Sequence, residues 1–156
     1  MFIRALIAFL ALPGVVAGVV PLLILGGDAH LARTAPYGIA LLCIGFLLLL
    51  WCVRDFYVSG KGTLAPWDPP KRLVVVGLYR FVRNPMYVAV LTVVAGWSLA
   101  FGSGWLGLYL GILAVGFHLR VLFYEEPWLS RQFGTDWEVY AKAVPRWLPR
   151  PRRSLP

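Results

Sequence analysis

Two polar clusters interrupt an otherwise apolar chain. The first is "GLYRFVRNPMY" at 77–87, which sets two arginines, an asparagine, a proline and two tyrosines at the mouth of a long apolar run. The second is "FHLRVLFYEE" at 117–126, where His118 and Arg120 fall inside an apolar block that Glu125 and Glu126 close. Residues 118, 122 and 125 share one face of an α-helix, so His118 and Glu125 should look the same way. Ionisable groups this close to a membrane span face a bundle interior or a wet cavity. A glutamate pair amid an excess of positive charge suits a cationic ligand. The plainer readings are a capped helix start with arginines reaching for headgroups, and a solvated acidic helix end.

The elements that must position these clusters follow from composition. The chain has 156 residues, 60% hydrophobic and 14% charged, with mean hydropathy +0.74. A soluble domain carries about a quarter charged residues. The apolar residues come in four long blocks, at about 5–25, 37–53, 86–101 and 105–124, which reads as an all-α integral membrane protein with four transmembrane helices. The first block is longer than a signal-peptide core and is taken as a span. Pro13 and Pro21 should kink it, which neighbouring helices tolerate. Between the last two blocks stands only "GSG" at 102–104, so these spans should form a hairpin.

Charge sets the orientation. Six Lys or Arg lie in 54–84 and seven in 120–156, with Arg4 at the N-terminus and Arg33 alone between the first two blocks. By the positive-inside rule both termini are cytoplasmic. The net charge of +8 is then insertion bias and attraction to the lipid bilayer, and no nucleic-acid partner is called for. Cys43 and Cys52 fit small buried hydrophobes. His30 and His118 lie in different segments, with no metal-ligand spacing.

The loop at 59–85 begins rich in proline and glycine and should be irregular. "KRLVVVGLY" then reads as a short extended segment that Gly77 breaks. Asn84 should cap the third span with Pro85 in its first turn. Past the glutamates, aromatics at Trp128, Phe133, Trp137 and Tyr140 alternate with polar residues, as in an amphipathic segment at the membrane surface with Gly134 as a break. The tail "VPRWLPRP" completes a 125–156 lid over whatever the clusters enclose.

"GLYRFVRNPMY", followed by "EEPWL", "FGTDWEVY" and "VPRWLP", resembles the isoprenylcysteine carboxyl methyltransferase and phospholipid methyltransferase superfamily of membrane enzymes. The likeness covers about 71–149. Asn84 stands where histidine often occurs and cannot titrate, and Trp137 replaces a tyrosine. The resemblance implies a methyltransferase with a cytoplasmic S-adenosylmethionine site and a lipophilic or lipid acceptor. Lys71, Arg72, Leu73 and Val74 would wall the cofactor, Tyr79 would follow, and Asn84, Pro85, Met86 and Tyr87 would cradle it. Glu125 would accept hydrogen bonds from its hydroxyl or amino groups. Glu126 and His118 are the candidates for a base if the acceptor must lose a proton, and Arg120 for orienting an anionic headgroup or carboxylate.

Two other classes compete. A lipid or sterol-type reductase with a nicotinamide cofactor would need phosphate contacts, and the chain has no Gly-rich dinucleotide fingerprint. A non-enzymatic four-span protein, such as a proton-coupled transporter, would carry an acid deep in a span, and the four blocks have none.

Overall fold

The computed structural model describes residues 10–26, 35–60 and 72–149. Among them the secondary structure is helical, with no strand. Helix α1 covers 10–26, π-wound over Leu10–Val19 and α-helical over Val20–Gly26. Pro13 lies inside the π-wound part, where a missing N–H disturbs the regular ladder. Helix α2 is Pro36–Gly60, α3 is Pro85–Phe101 and α4 is Gly104–Arg120. A π-turn, Val121–Glu125, carries α4 into α5, Glu126–Phe133; α6 follows as Thr135–Ala143.

Two helical runs are long and apolar enough to cross a membrane, Pro36–Phe56 and the continuous Gly104–Phe133. Pro13–Gly26 and Pro85–Phe101 are apolar but shorter. At 1.5 Å per residue, the 17 residues of α3 span about 26 Å, against a hydrocarbon core of about 30 Å. Exposed apolar side chains stud the long runs, including Phe46, Leu47, Trp105, Leu108, Ile112 and Phe123. Such a surface is stable against lipid and costly against water.

Two sequence boundaries move. The second helix does not stop near Val53 but runs on to Gly60. Asp55, which the sequence leaves between the span and the loop, is therefore a helical residue, and it is buried. The argument against a proton-coupled transporter from acid-free spans loses this span. The fourth helix continues past both glutamates to Phe133, so they sit within a helix rather than at its end.

Helices α2 and α3 pack backbone to backbone. A Cβ on Gly38 would lie 2.2 Å from Ala100 N, one on Gly45 2.7 Å from Val93 N, and one on Gly96 2.5 Å from Leu42 N. Small residues at these positions let the helices gain dispersion contacts that lipid cannot replace. The core beside this seam is Ala17, Leu49, Ala89, Val90, Val93 and Val94. Helix α1 is fastened through carbonyls of its π-wound stretch. Trp97 Nε1 donates to Ala17 O at 2.9 Å, and Tyr109 Oη donates to Val16 O at 3.0 Å.

The hairpin between α3 and α4 is as tight as "GSG" suggests. Gly102 takes a left-handed φ of 63° to end α3. Ser103 N then donates to Ser98 O at 3.2 Å, and Ser98 Oγ to Ser103 O at 3.1 Å. The hairpin fixes the far ends of α3 and α4 and so aligns their polar ends.

Candidate functional site

Asn84 occupies the cap position of α3 with Pro85 after it. Its side chain makes no cap bond; Nδ2 donates instead to Arg146 O in the tail, at 3.2 Å. One turn into α3, the Tyr87 hydroxyl is hydrogen-bonded to Glu125 Oε1. Arg120 Nε donates to the same Oε1 at 2.8 Å and to Tyr87 Oη at 3.1 Å. Arg120 and Glu125 are five residues apart, the spacing that a π-turn brings onto one side. Simple α-periodicity pairs Glu125 with His118 instead. The structure gives His118 a different partner, with Trp147 Nε1 donating to His118 Nδ1 at 3.1 Å.

Aromatic faces border this cluster. Tyr87 stacks on Phe117 with centroids 4.4 Å apart, and Trp147 lies 6.5 Å from Tyr87 and 6.0 Å from the His118 ring. Stacked rings beside a carboxylate attract a soft cation.

Glu126, the neighbour of Glu125, faces another way. Arg146 grips it with both arms, Nε to Oε1 at 2.7 Å and Nη2 to Oε2 at 2.8 Å. Arg83 Nη1 approaches Oε1 at 3.1 Å. Arg83 also stands over the Trp137 ring at 5.5 Å, and its backbone N–H donates to Pro145 O at 2.8 Å. The two guanidiniums respond in opposite directions. Burial pulls the Arg83 pKa down, partly offset by Glu126 and reinforced by Arg146. The Glu126 hydrogen bond pushes Arg146 up. The difference is burial: Arg83 is the deeper of the two.

The walling segment leads into this site. Leu73 to Val75 carry no regular secondary structure, Val76 is extended, and Gly77 at φ 53° opens a 3-10 turn, Gly77–Arg80. Val74 and Tyr79 are buried with Cys52 of α2, and Met86 packs against them. Burial raises the Tyr79 phenol well above its ordinary pKa. Leu73 joins Trp137, Tyr140 and Val144, so the apolar face of α6 is turned onto the loop. Tyr140 Oη donates to Tyr79 O at 2.7 Å. Arg72 is exposed, and Lys71 lies outside the described residues.

The structure thus gathers Tyr87, Glu125 and Arg120 into one bonded group, with His118 beside it across Trp147. Asn84 and Glu126 belong to the tail attachment, and Val74, Tyr79, Pro85 and Met86 to the packed wall. Sequence reasoning passed over Arg83, Arg146 and Trp147, although all three lie in the quoted motifs. Asp55 carries no signal in a sequence whose second apolar block ends at Val53.

A family profile described as phospholipid methyltransferase matches residues 34–136. An uncharacterized protein of Haemophilus influenzae is 33% identical over 66 residues, covering 40% of this chain and the whole of that protein. No solved structure matches.

Proposed function

The chain belongs to the phospholipid methyltransferase family, which makes it a membrane methyltransferase, and from that premise we propose that it moves a methyl group from S-adenosylmethionine to a lipophilic acceptor drawn from the bilayer. The observation that carries this reading is the Tyr87–Glu125–Arg120 group walled by Phe117 and Trp147. Its carboxylate acceptor and aromatic faces fit a cofactor that is cationic at sulfur and rich in hydroxyl and amino donors. When bound, the cofactor supplies an electrophilic methyl on a sulfonium.

The residues have separate tasks. Among the described residues both bonds to Glu125 fall on Oε1, which leaves Oε2 for a ligand donor. Arg120 spends Nε on this carboxylate, and its terminal nitrogens are available to steer an anionic part of the acceptor. The faces of Tyr87, Phe117 and Trp147 steady a cation and exclude water, which favours loss of charge during transfer. Alignment of donor and acceptor at attack distance is the main contribution such a site makes.

The base candidates stand differently. Both oxygens of Glu126 are held by guanidiniums. His118 accepts the Trp147 N–H at Nδ1, which leaves Nε2 as the nitrogen that carries the proton and can donate it in a hydrogen bond. With the tail docked, the acceptor therefore arrives as a ready nucleophile, and Glu126 and His118 act as a clamp and a donor.

In this reading the chain crosses the bilayer four times with both termini cytoplasmic, so that the site opens at the cytoplasmic face. Cysteine labelling should find positions 61 and 150 on one side and position 33 on the other; 61 and 150 on opposite sides would sink that topology. The function is tested by incubating purified protein with methyl-labelled S-adenosylmethionine and a total lipid extract. Label should appear in an extractable lipophilic product, and label recovered only in water-soluble material would overturn the reading.

A further inference from the structure

Asp55 lies toward the end of α2 with its side chain 8% exposed. A buried carboxylate needs donors on both oxygens, because unpaired charge in a low-dielectric setting is costly. Oδ1 receives one bond, from the largely exposed Arg54 Nη1 at 3.2 Å. Oδ2 is buried and has no partner among the described residues. What lies against it is Gly77: a Cβ built there would collide with Oδ2 and would itself fall 3.1 Å from the Trp51 indole nitrogen. Gly77 is thus required twice, by its positive φ and by this oxygen.

The surroundings identify the feature. One turn back on α2 is Cys52, fully buried with Val74 and Tyr79 and flanked by Phe56, Leu78 and Met86. Val74, Tyr79 and Met86 are residues that the methyl-donor reading assigns to the cofactor. Helix α2 therefore backs that cradle, and its buried carboxylate keeps one oxygen without a hydrogen-bond partner beside Gly77.

We infer that Asp55 is a second carboxylate of the cofactor cradle and binds an aliphatic ammonium group through Oδ2. This rests on the methyl-donor reading. A sulfonium has no N–H to give, and a hydroxyl leaves the buried charge uncompensated, whereas an ammonium supplies both charge and donor. The cofactor's amino-acid end carries such a group, as does an amine-headgroup lipid. Glu125 and Asp55 would then divide the work, the first at the bilayer-side mouth and the second at the back.

The test compares wild type with Asp55→Asn, which is nearly isosteric, in detergent micelles. Three probes are titrated: S-adenosylhomocysteine, its desamino analogue, and phosphatidylethanolamine against phosphatidylglycerol. Losing a hydrogen bond to a charged group weakens binding roughly ten- to a hundredfold. A loss of that size for S-adenosylhomocysteine, with the desamino analogue unchanged, assigns the ammonium to the cofactor. Unchanged nucleosides with a lost preference for phosphatidylethanolamine assign it to the acceptor. Either result upholds the site, and the ligand-free unfolding midpoint should hold or rise because an unpaired charge is gone. An equal loss for both nucleosides, with a lowered midpoint, marks Asp55 as a strut of the loop and overturns the inference. So does no loss for any probe. Wild type that binds neither nucleoside overturns the methyl-donor reading itself, which separates the two failures.

Discussion

Glu125 and Glu126 are consecutive, yet they serve two different regions. Glu125 reaches toward the span ends, to Tyr87 of α3 and Arg120 of α4, and its side chain is 26% exposed beside an arginine at 46%. Glu126 reaches toward the loop and tail, between Arg83 at 12% and Arg146 at 29% exposure. The first region leaves hydrogen-bonding capacity open at the mouth of the site. The second uses both carboxylate oxygens to hold protein to protein. Neighbours in sequence thus part into a proposed binding group and a fastening group, because consecutive helical residues point about 100° apart. The π-turn Val121–Glu125 brings Glu125 onto the side of Arg120.

The comparison predicts opposite failures. Glu126→Ala leaves two partly buried guanidiniums facing each other without their carboxylate. Breaking such a pair by removing one partner costs about 3 kcal/mol. Thermal unfolding in detergent should show a clear drop in midpoint, and limited proteolysis should cut near 145. Glu125→Ala should leave both unchanged. Equal destabilisation by the two variants would erase the distinction.

The next effect is smaller in energy and appears in binding. Glu125→Gln should weaken S-adenosylmethionine binding roughly tenfold, and Glu125→Ala up to about a hundredfold, the range for a hydrogen bond to a charged group. Glu138→Gln, on the exposed side of α6, should bind as wild type in the same calorimetric titration. Normal affinity in both Glu125 variants would reduce this carboxylate to a structural ion pair with Arg120.

Much of the binding region was legible in sequence, while little of the fastening region was. Tyr87, Arg120 and Glu125 announce themselves as polar groups bordering apolar blocks, and the hairpin between their helices follows from three residues. Their pairing did not follow, because α-periodicity has no means of foreseeing a π-turn. Arg83 and Arg146 read as membrane-surface arginines, since a pair 63 positions apart leaves no local pattern. Asp55 was lost to a boundary error: hydropathy falls at Arg54, but the helix persists because Cys52 and Phe56 still have Val74 and Tyr79 to pack on.

A third, smaller effect tests how the tail helix adds to the fastening. Tyr140→Phe removes the donor to Tyr79 O and should cost about 1 kcal/mol. Burial holds the Tyr140 phenol above its ordinary pKa, with Arg83 opposing the rise. A group whose folded pKa is raised lends stability that is complete below its unfolded value, about 10, and that is lost as pH climbs beyond it. Wild type should therefore lose stability above about pH 10, and Tyr140→Phe should lose less. Identical alkaline profiles would place the titrating group elsewhere.

The smallest effect lies where the two regions meet. Arg146 and Trp147 are consecutive in the tail and part just as the glutamates do, Arg146 to Glu126 and Trp147 to His118. Through Trp147, docking of the tail fixes the proton position on a ring beside the binding group. Trp147→Phe keeps an aromatic face toward Tyr87 but deletes the N–H. The bond is solvent-exposed, so stability should fall by no more than about 0.5 kcal/mol. The informative readout is the His118 ring itself. In wild type its nitrogen-15 shifts should report the Nε2-protonated tautomer, since Nδ1 accepts the indole proton. In Trp147→Phe that constraint is gone, and the shifts should move toward a mixture of the two tautomers. Glu126→Ala, which undocks the tail by a different route, should move them the same way although it touches neither ring. A wild-type ring already mixed, or one that Glu126→Ala leaves unmoved, would mean that fastening and binding are independent and that Trp147 is only a wall.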